Sequence, residues 1–73
     1  MNAHVRTARR HFAFSVKKVK AGYVVDHVVE HLSRREADKA SLTLLGRYGS
    51  GEAITLDRDL HNGDVLERAA LGL

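Results

Sequence analysis

The sequence predicts an α+β domain in which one amphipathic helix covers a small sheet. Three observations support this prediction. Apolar and small residues alternate over 12–16, an apolar stripe follows helical spacing over 23–32, and turn-forming residues at 46–51 and 62–63 separate short strand-forming runs. The length of 73 residues suits a single domain over 1–73, and no linker or repeat divides it.

The composition excludes several classes of protein. Without cysteine, the chain can form neither a disulfide nor a zinc–cysteine site, and it has no thiolate nucleophile. No apolar run approaches the ~20 residues of a membrane span. The basic N-terminus is not followed by the apolar segment of a secretory signal. We therefore expect a soluble cytoplasmic protein with no membrane partner.

The net charge of +3 is unevenly distributed. A basic N-terminal segment is typical of nucleic-acid binding, of an acidic protein partner or of a solvated surface. The few aromatic residues do not suggest a stacking platform for bases, so nucleic acid is a partner class that we do not favour. The basic residues that precede the first acid are Arg6, Arg9, Arg10, Lys17, Lys18 and Lys20.

The N-terminal part is predicted to form a hairpin. Loose alternation over 3–8 and clear alternation over 12–16 indicate two strands, with Phe12 and Phe14 on one face. The polar residues 8–11 would form the turn between them. A flexible basic arm over 1–10 is the alternative.

The clearest predicted helix is Tyr23–Leu32. Because valine lowers helix propensity, this helix must be stabilised by packing on a sheet. Its apolar positions follow the i, i+1, i+4, i+5, i+8 spacing of one helix face: Val24, Val25, Val28, Val29 and Leu32.

Residues 34–48 are compatible with either helix or strand. Ser33 and Glu36 form a capping-box pattern, which would begin a second helix and give a helical pair over 23–48. Against this, Leu42 and Leu44 alternate, glycines follow, and the run 53–56 is strand-forming. We favour strands from residue 41, with 34–40 as a polar connection.

The C-terminal part contains the strongest turn signal of the chain, Asn62-Gly63. Leu60 before it and Leu66 after it are predicted core residues. We expect a last strand over 65–70, and a short C-terminal helix is the alternative.

This order of elements, with the run Leu56-Asp57-Arg58-Asp59-Leu60 and the following His-Asn-Gly-Asp-Val-Leu-Glu, resembles the ubiquitin-like β-grasp proteins of bacteria. The resemblance implies a mixed sheet of four to five strands packed on one main helix at about 22–33. It also implies a protein that acts by docking to other proteins. Relatives of this kind include covalent modifiers, sulfur carriers and small domains of type VII secretion loci.

The resemblance further implies protein partners, including an activating (adenylating) enzyme and a conjugating enzyme. Gly72, in a flexible tail over 71–73, is then the candidate conjugation residue, although the chain lacks the terminal Gly-Gly of many modifiers. A non-covalent adaptor of a secretion system or enzyme complex is one alternative. A small basic DNA-binding transcriptional regulator with the helical 23–48 pair is the other.

A partner-binding patch is predicted from the strand interpretation of 41–46. With Leu42 and Leu44 facing the helix, Thr43 and Leu45 face outward. An exposed apolar patch usually marks a binding surface. The candidate patch comprises Thr43, Leu45, Arg47 and Ala69.

We expect no enzymatic activity, metal or cofactor. His27 and His31 belong to an H-x-x-E-H sequence, the motif of a zinc-binding helix in some metalloproteases, but the sequence offers no evident third ligand. No serine belongs to a recognisable Ser-His-Asp motif. No pair of carboxylates has a catalytic pattern, and Asp57, Asp59 and Asp64 are predicted to be loop acids that cap turns or add solubility.

Overall fold

The computed structural model describes residues 9–72 and has the expected α+β composition. Its four strands form one antiparallel sheet in the order β3-β1-β2-β4. A 3-10 helix, Arg68–Leu71, follows the last strand. The elements, in chain order, are β1 (Arg10–Val19), β2 (Gly22–His31), α1 (Arg34–Tyr48), β3 (Glu52–Leu56) and β4 (Val65–Leu66).

The two faces of the sheet are covered by different parts of the chain. Helix α1 lies on one face, mainly over β1 and β3. The segment after β3 and the 3-10 helix cover the other face, where Leu71 packs against the core. Because side chains alternate along β1, its two phenylalanines point away from α1. The buried core comprises Phe12, Phe14, Val25, Leu60 and Leu66.

The predicted helix at 22–33 is wrong, because these residues form β2. Ala13 pairs with Val29 but Ser15 pairs with Asp26, so β2 contains one residue more than β1 between these pairs. This β-bulge places His27 in the left-handed region, at φ 54°. The extra residue makes the valine doublets on either side of the bulge resemble the spacing of a helix. Valine itself favours a strand.

The helix of the fold is α1, where strands from residue 41 were favoured. Ser33 is its N-cap and accepts a hydrogen bond from the Glu36 amide at 3.1 Å. Gly49 ends it in the left-handed conformation, and its amide bonds to Leu45 O. The residues facing the sheet follow helical rather than alternating spacing, which explains why the strand prediction is wrong. They are Ala37, Ala40, Ser41 and Leu44.

The remaining predictions have mixed outcomes. The strands at 12–16 and 53–56, the turn at 62–63 and the core leucines are confirmed. Within residues 9–72 every strand pair is antiparallel, so the mixed sheet that was predicted is not found there. The last strand ends at Leu66 and gives way to the 3-10 helix.

At the N-terminus, the predicted strand over 3–8 lies outside the described residues. The predicted turn over 8–11 does not form at Arg10 and His11, which belong to β1. Within residues 9–72, α1 is too short and too polar to cross a membrane.

Candidate protein-docking groove

An apolar groove runs between α1 and β2. Its volume is about 210 Å³, and its lining is almost entirely apolar. Val29 on the β2 side is 52% exposed, although it lies on the face of the sheet that α1 covers. We call this feature the α1–β2 groove, and it is lined by Ala13, Val29, His31, Ala40, Thr43 and Leu44.

The groove is open because α1 extends only partly over β2. The helix packs mainly on β1 and β3 and makes fewer contacts with β2, so it covers the end of β2 incompletely. In the described part of the chain, β4 pairs only with Tyr23 and Val24 of β2. Within residues 9–72, the end of β2 around Val29 is therefore only partly covered by α1 and has no strand on its outer side.

The helix flank beside the groove carries charged and polar side chains. Helical spacing places Glu36 one turn before Ala40, and Arg47 one turn after Thr43, on this flank. The C-terminal end of the groove is therefore basic at Arg47. It is suited to a partner that presents a carboxylate beside an apolar group.

The four residues of the predicted patch are not brought together. Thr43 and Arg47 lie on the groove flank of α1. Leu45 lies near β3, since its amide is close to Gly51. Ala69 belongs to the 3-10 helix, whose Leu71 packs on the opposite face of the sheet.

Gly72 lies at the end of the 3-10 helix. It has left-handed geometry at φ 75°, and its amide donates to Ala69 O at 3.2 Å. Gly72 is exposed, but it closes a turn of the 3-10 helix rather than extending from it as a straight tail.

A polar cluster under the end of α1 was missed from the sequence. The Ser15 hydroxyl lies 2.8 Å from His27 Nδ1, and the His27 ring stacks on Tyr48 with centroids 3.7 Å apart. Asp26 Oδ2 is 3.7 Å from the same Nδ1. In a Ser-His-Asp triad the serine and the aspartate contact opposite ring nitrogens of the histidine, whereas Ser15 and Asp26 both lie near Nδ1 of His27. Ser15 is also only 4% exposed. The cluster therefore lacks the geometry of a triad, and its contacts anchor the bulge to α1. The only sequence signal was that Ser15 alternates away from the phenylalanines.

The two histidines that match the zinc-binding sequence motif do not lie on a helix. His27 and His31 are both on β2, so the helical i, i+4 geometry does not exist. Within residues 9–72, no group of three or more His, Asp or Glu side chains is arranged to hold a metal ion.

The basic run is divided between several environments. Arg10 makes a bidentate contact with Glu30, at 2.6 and 3.0 Å, and also pairs with Asp59. This hydrogen bonding lowers the pKa of Glu30 and raises the pKa of Arg10. Lys17 and Lys18 are successive residues of β1 and point to opposite faces.

The helical 23–48 pair of the DNA-binding alternative is wrong, because 22–31 is strand β2.

A second depression lies at the end of β3, with a volume of about 350 Å³. Arg9, Thr55 and Asp57 make its surface mainly polar. It is therefore a weaker candidate than the α1–β2 groove for binding an apolar group.

No protein-family model, characterised protein or solved structure matches this chain.

Proposed function

We propose that this protein acts by binding another protein, which inserts an apolar side chain into the α1–β2 groove. The observation that carries the proposal is the half-exposed Val29 at the edge of an apolar groove. Fully burying an exposed apolar side chain contributes about 1.5–3 kcal/mol, so covering the exposed half of Val29 contributes roughly 1 kcal/mol to an association with an apolar partner group.

The charge beside the groove narrows the chemistry of the partner. Arg47 is exposed at the C-terminal end of α1 and, among its described contacts, has no salt bridge. A guanidinium of this kind recognises a carboxylate. We therefore assign the groove to a protein segment with a large apolar residue and an acidic residue close to it.

The proposal rests on the groove rather than on a family. The element order through β4 agrees with the ubiquitin-like resemblance, whereas the antiparallel sheet and the position of α1 differ from what that resemblance implied. A docking function requires only the exposed surface, and similar folds support many functions.

A matched pair of substitutions tests the docking proposal. Val29→Asp introduces a charge at the groove, whereas Val65→Asp does so at an equally exposed valine on β4, which is 53% exposed. The probe is a displayed library of random peptides, selected on the full chain. We expect selected peptides to combine an apolar and an acidic residue, and Val29→Asp to weaken their binding by at least about tenfold, or ~1.4 kcal/mol.

Several results would remove the proposal. Selection could yield no peptide, or Val65→Asp could weaken binding as much as Val29→Asp. Nuclear magnetic resonance shifts could also map the bound peptide away from Val29, Thr43 and Leu44. Circular dichroism of both variants checks that each one is folded.

A covalent version of the same proposal uses Gly72 as the attachment point. It requires removal of Leu73 and opening of the turn that Gly72 closes on Ala69. A chain ending at Gly72, incubated with ATP and a candidate adenylating enzyme, would carry a C-terminal adenylate detectable by mass spectrometry. Absence of the adenylate eliminates the covalent version and leaves the docking proposal unaffected.

A further inference from the structure

The outer edge of β2 carries unpaired backbone groups beside the α1–β2 groove. On this side, the Val25 amide and carbonyl bond to the turn at 62–64, and the Val28 amide donates to a side-chain oxygen of the same turn. Because backbone groups alternate in direction along a strand, the amide and carbonyl of Glu30 point to this side as well. In the described part of the chain, β4 does not extend to Glu30, and no other backbone group bonds to it there.

This free edge adjoins the groove. Val29 and His31 line the groove from the face of β2 that α1 partly covers, and Glu30 lies between them with its backbone at the edge. A strand paired to Glu30 would therefore direct alternate side chains towards the groove. Lysine and proline commonly block an exposed edge, and neither occurs in this part of β2.

We propose that the partner binds as an extended segment that adds an antiparallel strand to β2 at Glu30 and places an apolar side chain in the α1–β2 groove. This inference rests on the docking proposal and specifies the conformation of the partner. Backbone hydrogen bonds to Glu30 supply affinity, whereas the groove selects the side chain. The antiparallel direction continues the pairing that β4 makes with the other end of β2.

The position of Arg47 determines the order of residues in the partner. Tyr48, the neighbour of Arg47, stacks on His27, so the C-terminal end of α1 lies beside the bulge. An antiparallel strand runs from the His31 end of the edge towards the bulge. The acidic residue that Arg47 recognises therefore follows the apolar residue in the partner sequence.

Backbone methylation of a synthetic peptide tests the strand pairing. The probe is the tightest-binding peptide from the displayed library, resynthesised with one N-methylated amide at a time. At the amide that donates to the Glu30 carbonyl, we expect methylation to weaken binding by at least about tenfold, because it removes the donor and separates the strands. Methylation of the residues on either side should have little effect, since their amides point away from β2.

Hydrogen exchange of the protein measures the same contact from the other side. On saturation with the unmethylated peptide, we expect exchange of the Glu30 amide to slow by at least about tenfold, because this amide becomes paired. The Lys20 amide is the control, since it lies in the turn between β1 and β2, at the opposite end of β2 from the groove. Its exchange should not change.

Several results would overturn the inference. Methylation effects could lack alternation, exchange at Glu30 could stay unchanged, or the selected peptides could carry the acidic residue before the apolar one. A Glu30 amide that becomes protected in the free chain as concentration rises would show a second copy at this edge, and would also overturn it. If Val29→Asp still weakens peptide binding more than Val65→Asp, the docking proposal stands and only the strand addition fails. Loss of that difference overturns both.

Discussion

The Asn62 side chain occupies the β-bulge of β2. Its Oδ1 accepts a hydrogen bond from the Val28 amide at 2.9 Å. On the other side of the bulge, the Gly63 amide donates to Val25 O and the Val25 amide donates to Asp64 O, both at 2.8 Å. The Asn-Gly-Asp turn therefore supplies the backbone partners that a neighbouring strand would otherwise provide.

Replacing Asn62 should destabilise the fold through this contact. Asn62→Ala leaves the Val28 amide without its protein acceptor, and we expect a loss of about 1 kcal/mol in the free energy of unfolding. Chemical denaturation measures it. Arg58→Ala, at an exposed position before the turn, is the control and should change stability little. Equal effects of the two substitutions would contradict this role for Asn62.

The same bulge explains why the fold could be predicted only in part. Without it, alternate residues of β2 would share a face, and the sequence would read as a strand. With it, Val25 and Val28 both pack at the core while spaced like residues of a helix. A bulge depends on pairing between distant strands, which local periodicity cannot show. The turn at Asn62-Gly63 was predictable because its signal is local.

The candidate site was predictable to a smaller degree. Thr43 and Arg47 were expected at a binding surface and do lie beside the groove, but on a helix rather than on a strand. Val29 was expected on the apolar face of a helix that packs on the sheet, and it is instead half-exposed on strand β2. Whether a valine is covered depends on where α1 crosses the sheet, and this is a tertiary property without a local sequence signal.

The cap at Ser33 should contribute to the stability of α1. Ser33→Ala removes the acceptor for the Glu36 amide, and we expect a loss of about 1 kcal/mol. Ser41→Ala is a matched control, because the Ser41 hydroxyl bonds to Asp38 O inside the helix rather than at its end. Thermal denaturation followed by circular dichroism compares the two. A Ser41→Ala loss as large as that of Ser33→Ala would argue against the cap.

Two glycines of similar appearance in the sequence should respond in opposite ways to alanine. A Cβ at Gly51 would lie 1.8 Å from Ser41 O, so Gly51→Ala forces α1 and the start of β3 apart. We expect a loss of about 3 kcal/mol. A Cβ at Gly46 meets nothing within 4 Å, and Gly46→Ala should stabilise α1 by about 0.5–1 kcal/mol. Denaturant unfolding of both variants measures these changes in stability. A Gly51→Ala variant as stable as the original chain would contradict the close approach of Gly51 to the Ser41 carbonyl.

The ion pair between Arg10 and Glu30 should make stability depend on pH in the acidic range. Hydrogen bonding to Arg10 lowers the folded-state pKa of Glu30 below its ordinary value of 4.5, so the folded state favours the carboxylate. The resulting stabilisation is present above that ordinary value and disappears as the pH falls through the lowered pKa. Glu30→Gln removes the titrating group, and we expect it to be less stable than the original chain at neutral pH.

The measurement is the difference in melting temperature between the original chain and Glu30→Gln across an acid titration. Because protonated Glu30 and glutamine are both neutral, we expect this difference to shrink towards zero at low pH. Asp57→Asn is the matched control, since Asp57 is an exposed carboxylate outside the pairs that Arg10 forms. It should show no comparable convergence. A Glu30→Gln difference that stays constant down to low pH would contradict this prediction, because the stabilisation would then not depend on the charge of Glu30.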